Sequence, residues 1–141
     1  MLGLALVGML CWGIGPIFAK LGLGTMDPVT GLGIRTLAAG VMVTGWLAAA
    51  PRTPRFHVVS LKGLLLIVLE AAFATVVGDL AYYAALKKGQ CAETSLILSA
   101  SPAVTVLLSA LVLGERPSNW SLAGAALIAI GLALVGLQPR P

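Results

Sequence analysis

The sequence predicts an all-α integral membrane protein with five transmembrane helices. Three observations carry this. Of 141 residues, 59% are hydrophobic and 10% are charged, against about a quarter charged in soluble domains. The mean hydropathy is +1.02, so there is too little polar surface to cover a globule in water. The apolar runs are continuous rather than alternating, which selects helices over barrel strands.

The first run, about residues 2–23, contains "LCWGIGPIFAKLGL". No Lys or Arg precedes it and no small-residue cleavage site ends it, so it reads as a span and not a signal peptide. Gly13, Gly15 and Pro16 predict a kink or a close backbone approach at mid-helix. Trp12 lies too deep for an interfacial belt and is expected to pack inside the bundle. Lys20 near the helix end is expected either to reach the headgroups or to contact an anionic group of a solute.

Asp27-Pro28 breaks the chain before a second helix over about 29–50. Arg35 stands two turns inside it, where a charge normally faces a partner or water. Gly40, Thr44, Gly45 and Ala49 would let a neighbouring helix approach. The loop "PRTPRFHVVS" is the most polar segment; its lone His57 and its Phe56 suit a headgroup interface.

The third helix, about 61–86, carries Glu70 near its middle and Asp79 two turns from its end. At 100° per residue these two carboxylates point to roughly opposite faces, so they are not expected to share a site. Thr75, Asp79 and Tyr83 fall on one face at spacing four, and Lys87 continues it. Arg35 and Asp79 are each about 10 Å in from loops on the same membrane side, so an Arg35–Asp79 ion pair is geometrically open.

The fourth helix, about 92–113, is the length of a span and is broken by Ser101-Pro102, where the proline removes one backbone hydrogen bond. Ser95, Ser99, Pro102, Val106 and Ser109 share one narrow face, expected to point into the bundle because lipid offers hydroxyls nothing. The fifth, about 120–137, begins after Ser118 or Asn119 as N-cap and places Ala125, Ala129 and Ala133 on a small-residue face suited to close helix contact.

The runs "AYYAALKKG", "SLILSASPAVTVLLSALVLGERPS" and "LAGAALIAIGLALVG", with Trp12-Gly13 and Lys20 in the first helix, resemble the EamA domain of the drug/metabolite transporter superfamily. The resemblance covers nearly the whole chain and implies one five-helix EamA-type repeat over residues 1–141. Most members carry two repeats. It further implies a multi-pass protein of the cell (inner or plasma) membrane that exports or exchanges small metabolites by alternating access. The small multidrug resistance relatives use a carboxylate in their first helix; this first helix has none, so their mechanism does not carry over.

An odd number of spans puts the chain ends on opposite sides. Lys and Arg in the loops then balance: Arg52, Arg55, Lys62 and Arg116 on one side, Lys20, Lys87, Lys88 and Arg140 on the other. The tight cluster around Pro51 tips the N-terminus slightly inward, while the near tie permits insertion both ways. An antiparallel homodimer, or a heterodimer with a sister subunit, would restore two inverted halves.

No hydrolase, metalloprotease or nucleotide-binding motif appears, so neither an enzyme nor an ATP-driven pump is expected, and no cofactor or metal is called for. Cys11 and Cys91 have no His or carboxylate at ligand spacing and read as inert small residues. The net charge of +4 comes from membrane-flanking Lys and Arg, with no basic patch for nucleic acid. The expected partners are membrane lipid and a small solute. Trp12, Lys20, Arg35, Asp79, Tyr83 and Ser99 are the candidate solute contacts. Glu70 is the candidate ion-coupling group, since burial raises a carboxylate pKa toward neutrality. Polar groups of both signs suit an amino acid or another zwitterion or anion better than a lipophilic cation. A lipid-linked sugar flippase subunit and a non-transporting membrane scaffold are the alternatives.

Overall fold

The computed structural model of the chain describes residues 2–50 and 59–137. The loop carrying Arg52, Arg55, Phe56 and His57, and the tail with Arg140, lie outside the described residues. All regular structure among the described residues is helical: α1 (Leu2–Leu23), α2 (Pro28–Ala49), α3 (Leu61–Ala71), a π-helical turn (Ala72–Gly78), α4 (Asp79–Lys88), α5 (Cys91–Leu98), α6 (Ser101–Val112) and α7 (Asn119–Gly136). The α3–α4 and α5–α6 stretches are each long and apolar enough to span, which with α1, α2 and α7 gives five spans.

The helix starts follow from their caps. Asp27 accepts the Thr30 N–H at 3.0 Å and the Thr30 hydroxyl at 2.5 Å, and Pro28 takes the first helical position, where its missing N–H costs nothing. These two hydrogen bonds, the hydroxyl's the stronger, hold the exposed Asp27 carboxyl below its ordinary pKa. Ser60 caps α3 through the Gly63 N–H. Ser118, not Asn119, caps α7 through the Ser121 N–H. At the end of α6 the chain closes by a 6→1 bond from the Glu115 N–H to the Ser109 carbonyl. Gly114 there has φ +67°, a left-handed position that only glycine adopts without strain.

Two expectations are corrected, and one is met. A Cβ built on Gly13 or Gly15 meets nothing within 4 Å, so no backbone approaches there among the described residues, and Pro16 lies inside α1. The fourth span is broken into two helices at Ser-Pro, as Pro102 predicts. The α-helix ends at Leu98 and restarts at Ser101, with Pro102 in the first turn of α6 where its lack of an N–H is harmless. A single count of 100° per residue therefore cannot run from Ser95 to Ser109. Two hydroxyls of that face bond their own helix instead of a partner: Ser99 donates to the Leu96 carbonyl and Ser109 to the Val106 carbonyl, as the neighbouring Thr105 does to Ser101. On α7, Gly124, Ala125, Ile128, Leu132 and Val135 are the half-buried residues, while Ala129 and Ala133 are exposed.

The chain divides into two compact units, one of residues 1–16 and 89–141, the other of residues 17–88. In the first, α7 packs against α5 and α6, and Thr94 is buried. In the second, α2 packs against α4 around Leu23, Tyr83 and Leu86. Between lipid-immersed helices the hydrophobic effect gives no net drive, so packing and polar ties decide which helices pair.

Candidate functional site

The polar residues of the 17–88 unit gather where α2 meets α4. The two helices run antiparallel, so each step of four residues up one matches four residues down the other. Two rungs result. Gly31 lies against Tyr83, and one turn further in, Arg35 pairs with Asp79.

The first rung depends on the absence of a side chain. A Cβ on Gly31 would stand 2.7 Å from the Leu23 side chain and 3.1 Å from two ring carbons of Tyr83. Leu23 is 2% and Tyr83 6% exposed, so neither has space to retreat. Tyr83 also meets Tyr82 edge to face, with ring centroids 5.7 Å apart.

The second rung is an ion pair between an Arg35 guanidinium N–H and an Asp79 carboxylate oxygen. The Arg35 side chain is half exposed and that of Asp79 about a quarter exposed. Arg35 is seven residues into α2 and Asp79 nine from the end of α4, a depth on the order of 10 Å. Acyl chains cannot solvate charge at that depth, so water, a solute or another helix must cover the exposed side of the pair.

The end of this unit where α1 and α4 finish is closed by two lysines. Lys20, in the last turn of α1, donates to the Leu86 carbonyl near the end of α4. Lys87, in the last turn of α4, donates to the Gly24 carbonyl just past α1. The final carbonyls of a helix lack intrahelical donors and carry its negative dipole end, so each ammonium satisfies the other helix's terminus. Lys20 thus joins helix ends, a role that neither of its sequence readings anticipates.

The other candidates stand elsewhere. Glu70 lies exposed on α3 and makes no hydrogen bond or ion pair among the described residues. It is nine residues from the start of the span, close to the middle of a core about 30 Å thick. Trp12, 84% exposed, and Ser99, whose hydroxyl is held by Leu96, belong to the other unit. Gly40 and Gly45 meet no neighbour within 4 Å and line an open groove on α2 with Thr36 and Thr44. Cys11 and Cys91 are free thiols, and no three His, Cys, Asp or Glu residues cluster as metal ligands among the described residues.

Two features escape the sequence reading. Gly31 is one turn before Arg35, as Tyr83 is one turn after Asp79, so the pairing of the ion pair predicts the glycine contact as well. The π turn has no such signal. It falls between Glu70 and Asp79, each of its residues turns the chain by less than 100°, and the opposite-face relation of the two carboxylates cannot be counted through it. Thr75, inside the turn, is likewise off the four-residue register that Asp79 and Tyr83 keep.

Residues 1–137 match the EamA-like transporter family. An uncharacterized transporter of Archaeoglobus fulgidus is 28% identical over 132 residues, which are 94% of this chain and 46% of that protein. The chain thus spans about half the length of this curated relative. No solved structure matches it. With five apolar spans and a family match over almost its whole length, the chain belongs to the EamA-like transporter family, as a multi-pass membrane protein.

Proposed function

We propose that the chain is the subunit of a transporter that exports or exchanges small metabolites across the cell membrane by alternating access. The observation that carries this reading is the half-exposed Arg35–Asp79 pair at a depth of about 10 Å. A pair serving only to join two helices is best enclosed by them, whereas this one presents charge of both signs outward. Such a pair suits a solute bearing a carboxylate, an ammonium or both. Tyr83 is the neighbour that shapes the site, and Lys20 holds the helix ends around it. Glu70, a carboxylate near mid-membrane, is the group proposed to couple solute movement to an ion gradient. The chain acts on no covalent bond in this reading. The second repeat comes from an inverted copy of the same chain or from a sister subunit.

The test is a comparison of small metabolites inside and outside cells that express the chain, Asp79→Asn or Glu70→Gln at equal membrane levels. Transport predicts solutes whose distribution shifts with the native chain and returns to the background in both variants. A scaffold predicts identical profiles for all three. Lipid-linked sugar pools that shift while medium metabolites do not would point to the flippase instead.

A further inference from the structure

The α3–α4 span is continuous in sequence but not in hydrogen bonding. Ala72–Gly78 forms a π turn, and the Asp79 N–H bonds to the Ala74 carbonyl five residues back. Glu70 lies two residues before this turn and Asp79 immediately after it. A π turn holds one more residue than an α turn. If its residues return to α geometry, everything beyond is turned by about 100° and moved by about 1.5 Å along the axis.

Three features make this turn exchangeable. Its residues, AFATVVG, include Thr, two Val and Gly, which are mediocre to poor helix formers, so local propensity does not fix the α register. Apart from the half-buried Thr75, they are all exposed, so little among the described residues packs the wide form in place. A Cβ on Gly78 would lie 3.2 Å from the Phe73 carbonyl, so a methyl added there asks the wide form to give by a few tenths of an ångström.

The geometry points to the π turn as a hinge that opens and closes the Arg35–Asp79 pair. In the wide form Asp79 faces Arg35. In the α form the same carboxylate is turned off Arg35, and both charges are released together. The rotation falls on the segment between Glu70 and Asp79, so it ties the orientation of the mid-membrane carboxylate to the state of the ion pair. This device goes beyond the transport reading, and its mobility is measurable with no solute in hand.

The experiment is amide hydrogen–deuterium exchange on the full chain in phosphatidylcholine/phosphatidylglycerol nanodiscs, compared with a variant lacking Val76 and with Gly78→Ala. Removing one residue from the wide turn lets the span close as a regular helix with both flanks in register, and the added methyl crowds the wide form. A hinge predicts that amides of residues 75–79 in the native chain exchange at least about tenfold faster than those of residues 64–69 and 82–86. It predicts that this excess is lost in the variant lacking Val76 and reduced in Gly78→Ala. Should the deletion fail to fold, Gly78→Ala and the native chain decide the matter. Equal exchange across turn and flanks overturns the proposal, and so does fast exchange that persists in both variants.

Discussion

Gly31 offers the sharpest test of how the ion pair is held. Replacing it with Ala brings a methyl to 2.7 Å from Leu23 and 3.1 Å from the Tyr83 ring, where carbon atoms rest at about 3.5–4.0 Å. Both neighbours are buried, so relief requires α2 to part from α4 and from Leu23 at the end of α1, and overpacking of this kind costs about 1–3 kcal/mol. Ala for Gly within a helix also returns about 1 kcal/mol of propensity. The control is Gly40→Ala on the same helix, where the new methyl meets nothing within 4 Å and only the propensity gain remains. Equilibrium unfolding in mixed micelles is therefore expected to place Gly31→Ala about 1–3 kcal/mol below Gly40→Ala. Adding Leu23→Ala removes the nearest obstructing atom and should recover part of the loss, seen as coupling in a double-mutant cycle. Gly31→Ala as stable as Gly40→Ala would refute the close α2–α4 contact, and with it the geometry that brings Arg35 to Asp79.

Other consequences are equally direct. Asp79→Asn and Arg35→Gln should each destabilise the chain more than the double variant does, since a single change strands one intramembrane charge while the double change strands none; unfolding titrations of the three variants measure this. Lys20→Met and Lys87→Met should each free helix-end carbonyls and speed limited proteolysis between α1 and α2, read by the appearance of a cut near Gly24 to Asp27. The Asp27 carboxyl is held below its ordinary pKa by the Thr30 hydroxyl and N–H. Its contribution to α2 is therefore complete above the ordinary aspartate pKa of about 3.9 and is lost as pH falls through the lowered folded value. Fraying of the first turn of α2 in an acid titration by NMR should follow that course, and Asp27→Asn should keep the cap while abolishing the titration.

Much of this architecture is legible in the sequence because membrane burial is a property of composition. Continuous Leu, Ile, Val and Ala runs cannot be anything but spans, and Asp27-Pro28 and Gly114 mark turns through their own backbone chemistry. The Arg35–Asp79 pair is legible as well, because depth from a loop is simple arithmetic on a regular helix. What the sequence conceals begins where regularity ends. The π turn at Ala72–Gly78 changes the angular count, and no residue in it announces the change; the break at Ser99–Ala100 changes it too, but there Pro102 gives the signal. The serines of the fourth span mislead for a different reason: a hydroxyl can bond its own helix, so a polar face need not seek a partner. Lys20 and Lys87 are visible as helix-end cations, but which carbonyl each one reaches depends on the packing of α1 against α4.

The most direct test of the account is whether the Arg35–Asp79 pair meets water in the membrane-inserted protein. A single cysteine would be placed at Asp79→Cys, with Cys11→Ser and Cys91→Ser, and labelled in intact cells and inverted vesicles by a small, membrane-impermeant methanethiosulfonate cation. Phe73→Cys, at an apolar position that is 70% exposed, is the lipid-facing comparison. A transport site predicts that the Asp79→Cys thiol reacts from at least one side far faster than Phe73→Cys. Equal, slow labelling at both positions from both sides would mean a dry ion pair that only fastens α2 to α4, and would contradict the transport reading of this site.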